Sequence, residues 1–314
     1  MSRESVLILG ANGRLGGAVA SAFAEAGWQV RAFSRRAVDD PRDNIETIAG
    51  DARDAAAVSR AAQGMAVVVN ALNPPYPQWR KLARPLANNA LAAAGQSGAL
   101  LMFPGNVYNY GRVLPPVLDE STPQFPDTSK AEIRIEMEQE LRAAAVRGIN
   151  SVVIRAGDFF GGPARGSWFD LAIVKSLNKN KVVYPGPTDR LHAWAYLPDL
   201  AQIFVRLAER RQELDGARSF HFAGHSLTGA ELHRLLEQIT GKPLRLAGMP
   251  WGLIKLIAPL SPTLRSVMEM RYLWERPHVL DETRLQALLG AVPHTPAAAA
   301  LAQALRDLEL PVAA

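Results

Sequence analysis

The sequence predicts an α/β protein, a doubly wound parallel sheet followed by a smaller, mostly helical C-terminal cap. Three observations predict it. Short apolar runs alternate with helical patterns through the first half, and a glycine-rich loop separates the first run from the first helix. After Gly161 the alternation breaks, prolines punctuate the chain (Pro163, Pro185, Pro187, Pro198) and helical patterns take over. Strands separated by helices need crossover connections, which are right-handed, and they give a sheet covered on both faces.

Taken in order, residues 6–9 read as the first strand, followed by the glycine-rich turn and an Ala-rich helix to Ala26. Gly27 ends that helix, because glycine takes the left-handed conformation of a C-terminal cap. Residues 29–33, 45–49 and 67–70 read as strands, with a helix over 54–62 between the last two. A helix over 79–94, a strand over 99–103, a long helix over 130–147 and a strand over 150–155 complete the alternation. Residues 1–160 therefore carry the sheet and 161–314 the cap. The two interleave, because about 195–222 has the pattern of a segment returning to the sheet, a helix over 198–209 and a strand over 219–222. The Ala-rich stretch 296–300 reads as a helix start.

Composition narrows the function. A chain of 314 residues buries a substantial core, and 48% hydrophobic against 21% charged residues excludes disorder. Thirty-five Lys and Arg against 30 Asp and Glu leave only +5, with no dense basic tract, so no nucleic-acid partner is expected. The absence of cysteine excludes disulfides, Cys-based zinc sites and Cys nucleophiles. The chain enters an apolar strand within a few residues without the pattern of a signal peptide, and no apolar run is long enough to span a bilayer, so a cytoplasmic protein without a membrane partner is expected. The most membrane-like stretch, 251–260, contains Lys255; it reads as a core or lid helix, or else as a surface-binding one. None of the six histidines forms a helical His-x-x-x-His metal pair; His221 and His225 could converge at a strand end but read as neutral packed histidines, so no metal site is expected, and there is no Gly-x-Ser-x-Gly elbow.

The loop Gly10-Ala-Asn-Gly13-Arg-Leu-Gly16 stands directly after a strand and before a helix. Glycines there allow a tight turn, close backbone approach to a pyrophosphate and close helix packing. The helix N-terminus then offers N–H groups to the phosphates. The expected contacts are Gly10, Asn12, Gly13, Arg14, Leu15 and Gly16, in a dinucleotide-binding Rossmann domain. At the end of the second strand, where an acidic residue would suit NAD, the chain has Ser34-Arg35-Arg36. Guanidinium groups match a 2′-phosphate, so this favours NADP as cofactor, with Arg14 expected within reach of the same phosphate. The competing reading is a pair of solvated loop arginines.

The Gly-x-x-Gly-x-x-Gly spacing resembles the short-chain dehydrogenase/reductase superfamily. Further stretches in order resemble its extended, epimerase/dehydratase-like branch: Phe103-Pro-Gly-Asn-Val-Tyr-Asn-Tyr-Gly111, Arg155-Ala-Gly-Asp-Phe-Phe-Gly-Gly162 and Tyr196-Leu-Pro-Asp199-Leu-Ala. The resemblance implies that Asp51 contacts the adenine, although Asp51 could equally cap a helix, and that Asn70 and Ala71 run past the adenosine ribose. It implies a Tyr-x-x-x-Lys pair in which the lysine holds the nicotinamide ribose, lowers the tyrosine pKa and so sets up proton transfer. Here the matching lysine is Lys130, but Pro126 stands four residues earlier, and the usual serine position falls on Asn106 or Pro104. Three readings follow. Lys130 acts without a tyrosine, another tyrosine (Tyr108, Tyr110 or Tyr76) substitutes, or the cofactor is only sensed, as in NmrA-like regulators. The leading expectation is an NADP(H)-dependent reductase or epimerase-like oxidoreductase acting on a small carbonyl-containing molecule, with Lys130, Tyr108 and Asn106 as catalytic residues. The alternative is a non-catalytic NADP(H) sensor. The resemblance also implies a homodimer through long outer helices, a set that would include 130–147.

Overall fold

The computed structural model describes residues 4–313. The first half forms β1 (Ser5–Leu9), α1 (Arg14–Glu25), β2 (Gln29–Ser34), β3 (Ile45–Ala49), α2 (Ala55–Ala62), β4 (Val67–Asn70), α3 (Trp79–Ser97) and β5 (Leu100–Gly105). Next come the two-residue β6 (Val117–Leu118), the long α4 (Ser129–Ala145) and β7 (Ser151–Arg155). Then follow β8 (Asp158–Phe160), β9 (Lys181–Tyr184), β10 (Leu191–Tyr196), α5 (Leu197–Glu209), β11 (Ala217–His221), β12 (His225–Thr228), α6 (Gly229–Thr240) and β13 (Arg245–Gly248). The chain closes with α7 (Trp251–Ile257), α8 (Pro262–Glu269), α9 (Tyr272–Glu275), β14 (Val279–Leu280), α10 (Thr283–Leu289) and α11 (Ala297–Asp307).

Seven strands make one parallel sheet in the order β11-β7-β5-β4-β1-β2-β3. Alternation along β1 serves both faces. Leu7 and Leu9 pack with residues of α2, α3 and α4, whereas Val6 and Ile8 pack with α1 and α5. Both sides are buried, which is why the strands read as continuous apolar runs. Later in the chain, α5 packs on α1's side of the sheet, and β11 adds the seventh strand beside β7.

The cap is less purely helical than expected. Around α6–α11 it holds three small sheets, β12-β10-β8, β13-β9 and β14-β6. A third apolar core, with Phe160, Trp194, Trp274 and Leu305 among its members, lies under them. Among the described residues no helix is long and apolar enough to cross a membrane.

One buried ion pair sets how α4 lies on the sheet. Arg155, at the end of β7, donates through Nη2 to both carboxylate oxygens of Glu138 at 2.9 and 2.8 Å. Its Nη1 donates to the Asn106 carbonyl. Burial alone would push the Glu138 carboxyl up, but the charge and hydrogen bonds of Arg155 bring it below its ordinary range. Removing one partner of such a pair costs about 3–5 kcal/mol. With Glu138 fixed inward, Arg134 and Lys130, one and two turns earlier, lie on the same face of α4.

Candidate active site

The C-terminal ends of β1, β2, β3, β4, β5 and β7 all open into one cavity of about 1240 Å³. This is the edge where open α/β sheets take their ligands.

At one end lies the glycine loop. Gly10 has φ +83°, and a Cβ there would lie 3.0 Å from the Ala71 carbonyl oxygen. A Cβ on Gly16 would lie 2.2 Å from the Gly10 carbonyl oxygen, so only glycine lets α1 seat on the loop. The α1 N-terminus has neither a side-chain cap nor an acidic residue in its first turn. Its first N–H groups are therefore not taken by side chains, as an anion cradle requires. Gly10, Asn12, Gly13, Arg14 and Leu15 line the cavity, while Gly16 stands behind them as the packing glycine.

Arg35 and Arg36 border the same end and are exposed. Neither guanidinium has a hydrogen-bond or ion-pair partner among the described residues. Their loop is held in place by Asn12 Nδ2 and Ser34 Oγ, both donating to the Arg36 carbonyl. This donor set fits a phosphorylated dinucleotide. Arg14 differs from expectation. Its Nε donates to the Ala164 carbonyl at 2.8 Å and its Nη2 to that of Gly161 at 3.2 Å, with Asp170 3.9 Å away. Arg14 thus ties the glycine loop to the 161–170 segment and is committed there, not to the Ser34–Arg36 loop.

Asp51 lines the cavity beside Arg53, which donates to it through its backbone N and its guanidinium and holds the carboxyl below its ordinary range. Asp51 is not the cap of α2. Asp54 takes that place, accepting from the Ala56 and Ala57 amides. Asn70 is buried and accepts from Leu72 N at 3.3 Å, so it shapes the Ala71–Leu72 backbone that borders the cavity and does not itself face it.

At the other end the structure brings together Tyr76, Tyr108, Asn106, Arg134 and Asp158. The Tyr76 and Tyr108 hydroxyls are 2.9 Å apart. Burial raises both phenols, Tyr108 well above its ordinary value; their hydrogen bond lowers Tyr76 and raises Tyr108. Asn106, which lines the cavity, accepts from Tyr108 N through Oδ1 and caps the short helical turn Val107–Tyr110. Tyr110 points elsewhere, hydrogen-bonded to His221 Nε2 at 2.9 Å.

Lys130 is not brought to the cavity. Its side chain is 4% exposed, and Nζ pairs with Glu269 and donates to the Ser266 carbonyl at 3.2 Å, both on α8. It lies 4.9 Å from the centre of the Tyr76 ring, behind that residue. The α4 cation that lines the cavity is Arg134, one turn on. Its guanidinium lies 4.9 and 5.1 Å from the Trp79 and Phe103 rings and donates to the Pro104 carbonyl at 3.0 Å. The position of α4 that faces the cavity is thus 134, one turn past the 130 expected from the spacing. Sequence reasoning missed Arg134 and Asp158. The available signals were the stripe Lys130, Arg134, Glu138 at helical spacing and an acidic residue just past the end of β7.

Residues 6–222 match the model of the NAD dependent epimerase/dehydratase family. No curated protein matches the sequence. Among solved structures, the UDP-glucose 4-epimerase of Thermotoga maritima with UDP-glucose is 16% identical with a TM-score of 0.76, covering 97% of this chain and 98% of its own. The Brucella ovis UDP-glucose 4-epimerase in complex with NAD is 16% identical with a TM-score of 0.76, covering 99% and 100%. The dTDP-glucose 4,6-dehydratase of Streptomyces venezuelae with NAD is 18% identical with a TM-score of 0.74, covering 97% of each chain. Identities this low show a shared fold; the family model extends the likeness to the sequence itself over the glycine loop, the strand ends and the returning segment. The chain belongs to the NAD dependent epimerase/dehydratase family.

Proposed function

We propose that the protein is an NADP(H)-dependent reductase, or an epimerase-like oxidoreductase, of small carbonyl compounds, in which Tyr76, Tyr108 and Arg134 stand in for the usual Tyr–Lys pair. The observation that carries this reading is the 2.9 Å contact of two phenols on the cavity wall that also bears the Arg134 guanidinium. When bound, the nicotinamide cofactor supplies or takes up the hydride. The glycine loop would hold its pyrophosphate, Arg35 and Arg36 its 2′-phosphate, and Asp51 its adenine.

The residues of the chain supply the proton. Tyr108 is the more deeply buried phenol and the poorer phenolate, so its O–H donates to the Tyr76 oxygen. The Tyr76 O–H is then the one directed to a substrate carbonyl oxygen. As that proton leaves, the Tyr108 O–H and the Arg134 charge stabilise the phenolate. The Asn106 amide offers a further donor to the same oxygen. Lys130 acts through position: its ammonium, fixed by Glu269, backs the Tyr76 ring.

The test follows loss of reduced-nicotinamide absorbance with NADPH and a panel of small aldehydes, ketones and enones. Carbonyl-dependent consumption is expected, with Tyr76→Phe lowering kcat about 100-fold or more and Tyr108→Phe about tenfold. NADPH binding without consumption across the panel would move the reading to a cofactor sensor. Full activity in both Phe variants would remove the tyrosine pair from the chemistry.

A further inference from the structure

The cavity holds a second charged group that the tyrosine pair does not need. Asp158 opens β8, where the chain crosses from the main sheet to the cap. A Cβ on Gly157 would lie 2.1 Å from the Ala193 carbonyl oxygen, so this backbone is pressed directly onto β10. The Asp158 side chain borders the cavity and is 18% exposed. Its Oδ2 accepts from His192 Nε2 at 2.8 Å, while Oδ1 accepts nothing among the described residues.

The support behind the carboxylate is elaborate. His192 is buried, its ring flat on Trp274 at 4.1 Å with 4° between the planes, and edge-on to His278 at 4.7 Å. Burial and then His192 lower the His278 pKa to about 3, so His278 stays neutral. A buried stack of this kind fixes one rotamer of the carboxylate and leaves its second oxygen for a ligand.

Charge along the cavity is uneven. The cations gather at the glycine-loop end: Arg14, Arg35, Arg36, Arg53, and Arg165, which follows the Ala164 carbonyl that accepts from Arg14. Toward the cap the lining is Trp79, Trp168, Leu171, Ile254, Leu264 and Val267. In that half Arg134 is sandwiched on two rings, and Asp158 is the carboxyl side chain on the lining. A diphosphate placed there would lose its water against apolar walls and face a carboxylate.

We propose that Asp158, oriented by His192, is a specificity-determining residue, and that the substrate is a largely apolar, uncharged carbonyl compound whose hydroxyl donates to Asp158, not a nucleoside-diphosphate sugar. This rests on the cavity being the substrate site of the proposed reductase. Substrate is held at two points, its carbonyl oxygen at the tyrosine pair and its hydroxyl at Asp158, with the apolar body against the cap.

Calorimetric titration of the NADP-loaded protein with benzylacetone, its para-hydroxy analogue and UDP-glucose tests this without turnover. The hydroxy-ketone binds about tenfold tighter than benzylacetone, and UDP-glucose binds weaker than both. Asp158→Asn keeps shape but lowers acceptor charge, and it reduces the tenfold preference to about threefold; Asp158→Ala abolishes it, with melting curves and NADPH affinity showing that each variant is folded. Equal binding of the two ketones by the wild type, binding of neither, tightest binding of UDP-glucose, or a preference untouched by both variants overturns the proposal. The binding pattern without NADPH consumption would sink the reductase chemistry and leave the substrate class standing.

Discussion

Arg35 is the residue on which the cofactor reading turns. It is exposed, borders the cavity past the end of β2 and has no protein partner among the described residues, so its charge is available to a ligand. A charge-assisted hydrogen bond to a 2′-phosphate is worth about 1.5–3 kcal/mol, or roughly 10- to 150-fold in affinity. Arg35→Ala should therefore weaken NADPH binding at least tenfold by fluorescence titration, while NADH binding changes by less than about twofold. Equal loss for both cofactors would mean that Arg35 supports the loop and does not read the phosphate. The Ser34-Arg35-Arg36 pattern was visible in the sequence because it is contiguous. Arg14 was not, since its partners lie about 150 positions away, at Gly161 and Ala164.

At the scale of elements, a hidden register decided what α4 presents. The Tyr-x-x-x-Lys spacing directs attention to 126 and 130, yet α4 starts at Ser129 with Thr128 as its side-chain cap, so Pro126 precedes the helix. The face of α4 is fixed by Glu138 on Arg155, a contact between elements that no local pattern encodes. Lys130 then falls under α8, holding the Glu269 carboxylate and the Ser266 carbonyl near that helix's C-terminus, where a cation is favourable. This has a consequence distinct from catalysis. Lys130→Met should speed hydrogen exchange in residues 262–270 about tenfold, the release of roughly one charge-assisted hydrogen bond, and raise KM more than it lowers kcat. Unchanged exchange with a collapsed kcat would return Lys130 to the chemistry. The central strands β1, β4, β5 and β7 were legible because they are buried on both faces. Short cap strands such as Lys181–Tyr184 and Arg245–Gly248 were not, because each is four residues long and pairs across a long sequence separation.

For the molecule as a whole, two histidines tie stability to pH. His221 is fully buried at the seam between sheet and cap, donating through Nδ1 to the Leu118 carbonyl and accepting from the Tyr110 hydroxyl. Burial and then the Arg155 charge lower its pKa to about 4; burial and then His192 lower that of His278 to about 3. Both values lie below those of the unfolded chain, near 6.5, so between them the unfolded state binds more protons than the folded one. The stability they contribute is full above about pH 6.5 and is lost as the pH falls toward 4. For His221 alone the integrated loss is about 3 kcal/mol. The wild type should therefore melt several degrees lower at pH 5 than at pH 7.5. His221→Gln keeps a donor and an acceptor but cannot take up the proton, so its Tm should start lower at pH 7.5 and fall less steeply. An identical pH slope in the variant would show that the acid sensitivity lies in the carboxylates, Glu138 foremost. Their window opens lower, at the ordinary glutamate value, and extends below it, because the folded protein holds the Glu138 carboxyl down. The two contributions separate on the pH axis, and melting curves at closely spaced pH values from 7.5 down to about 2.5 assign the loss to one or the other.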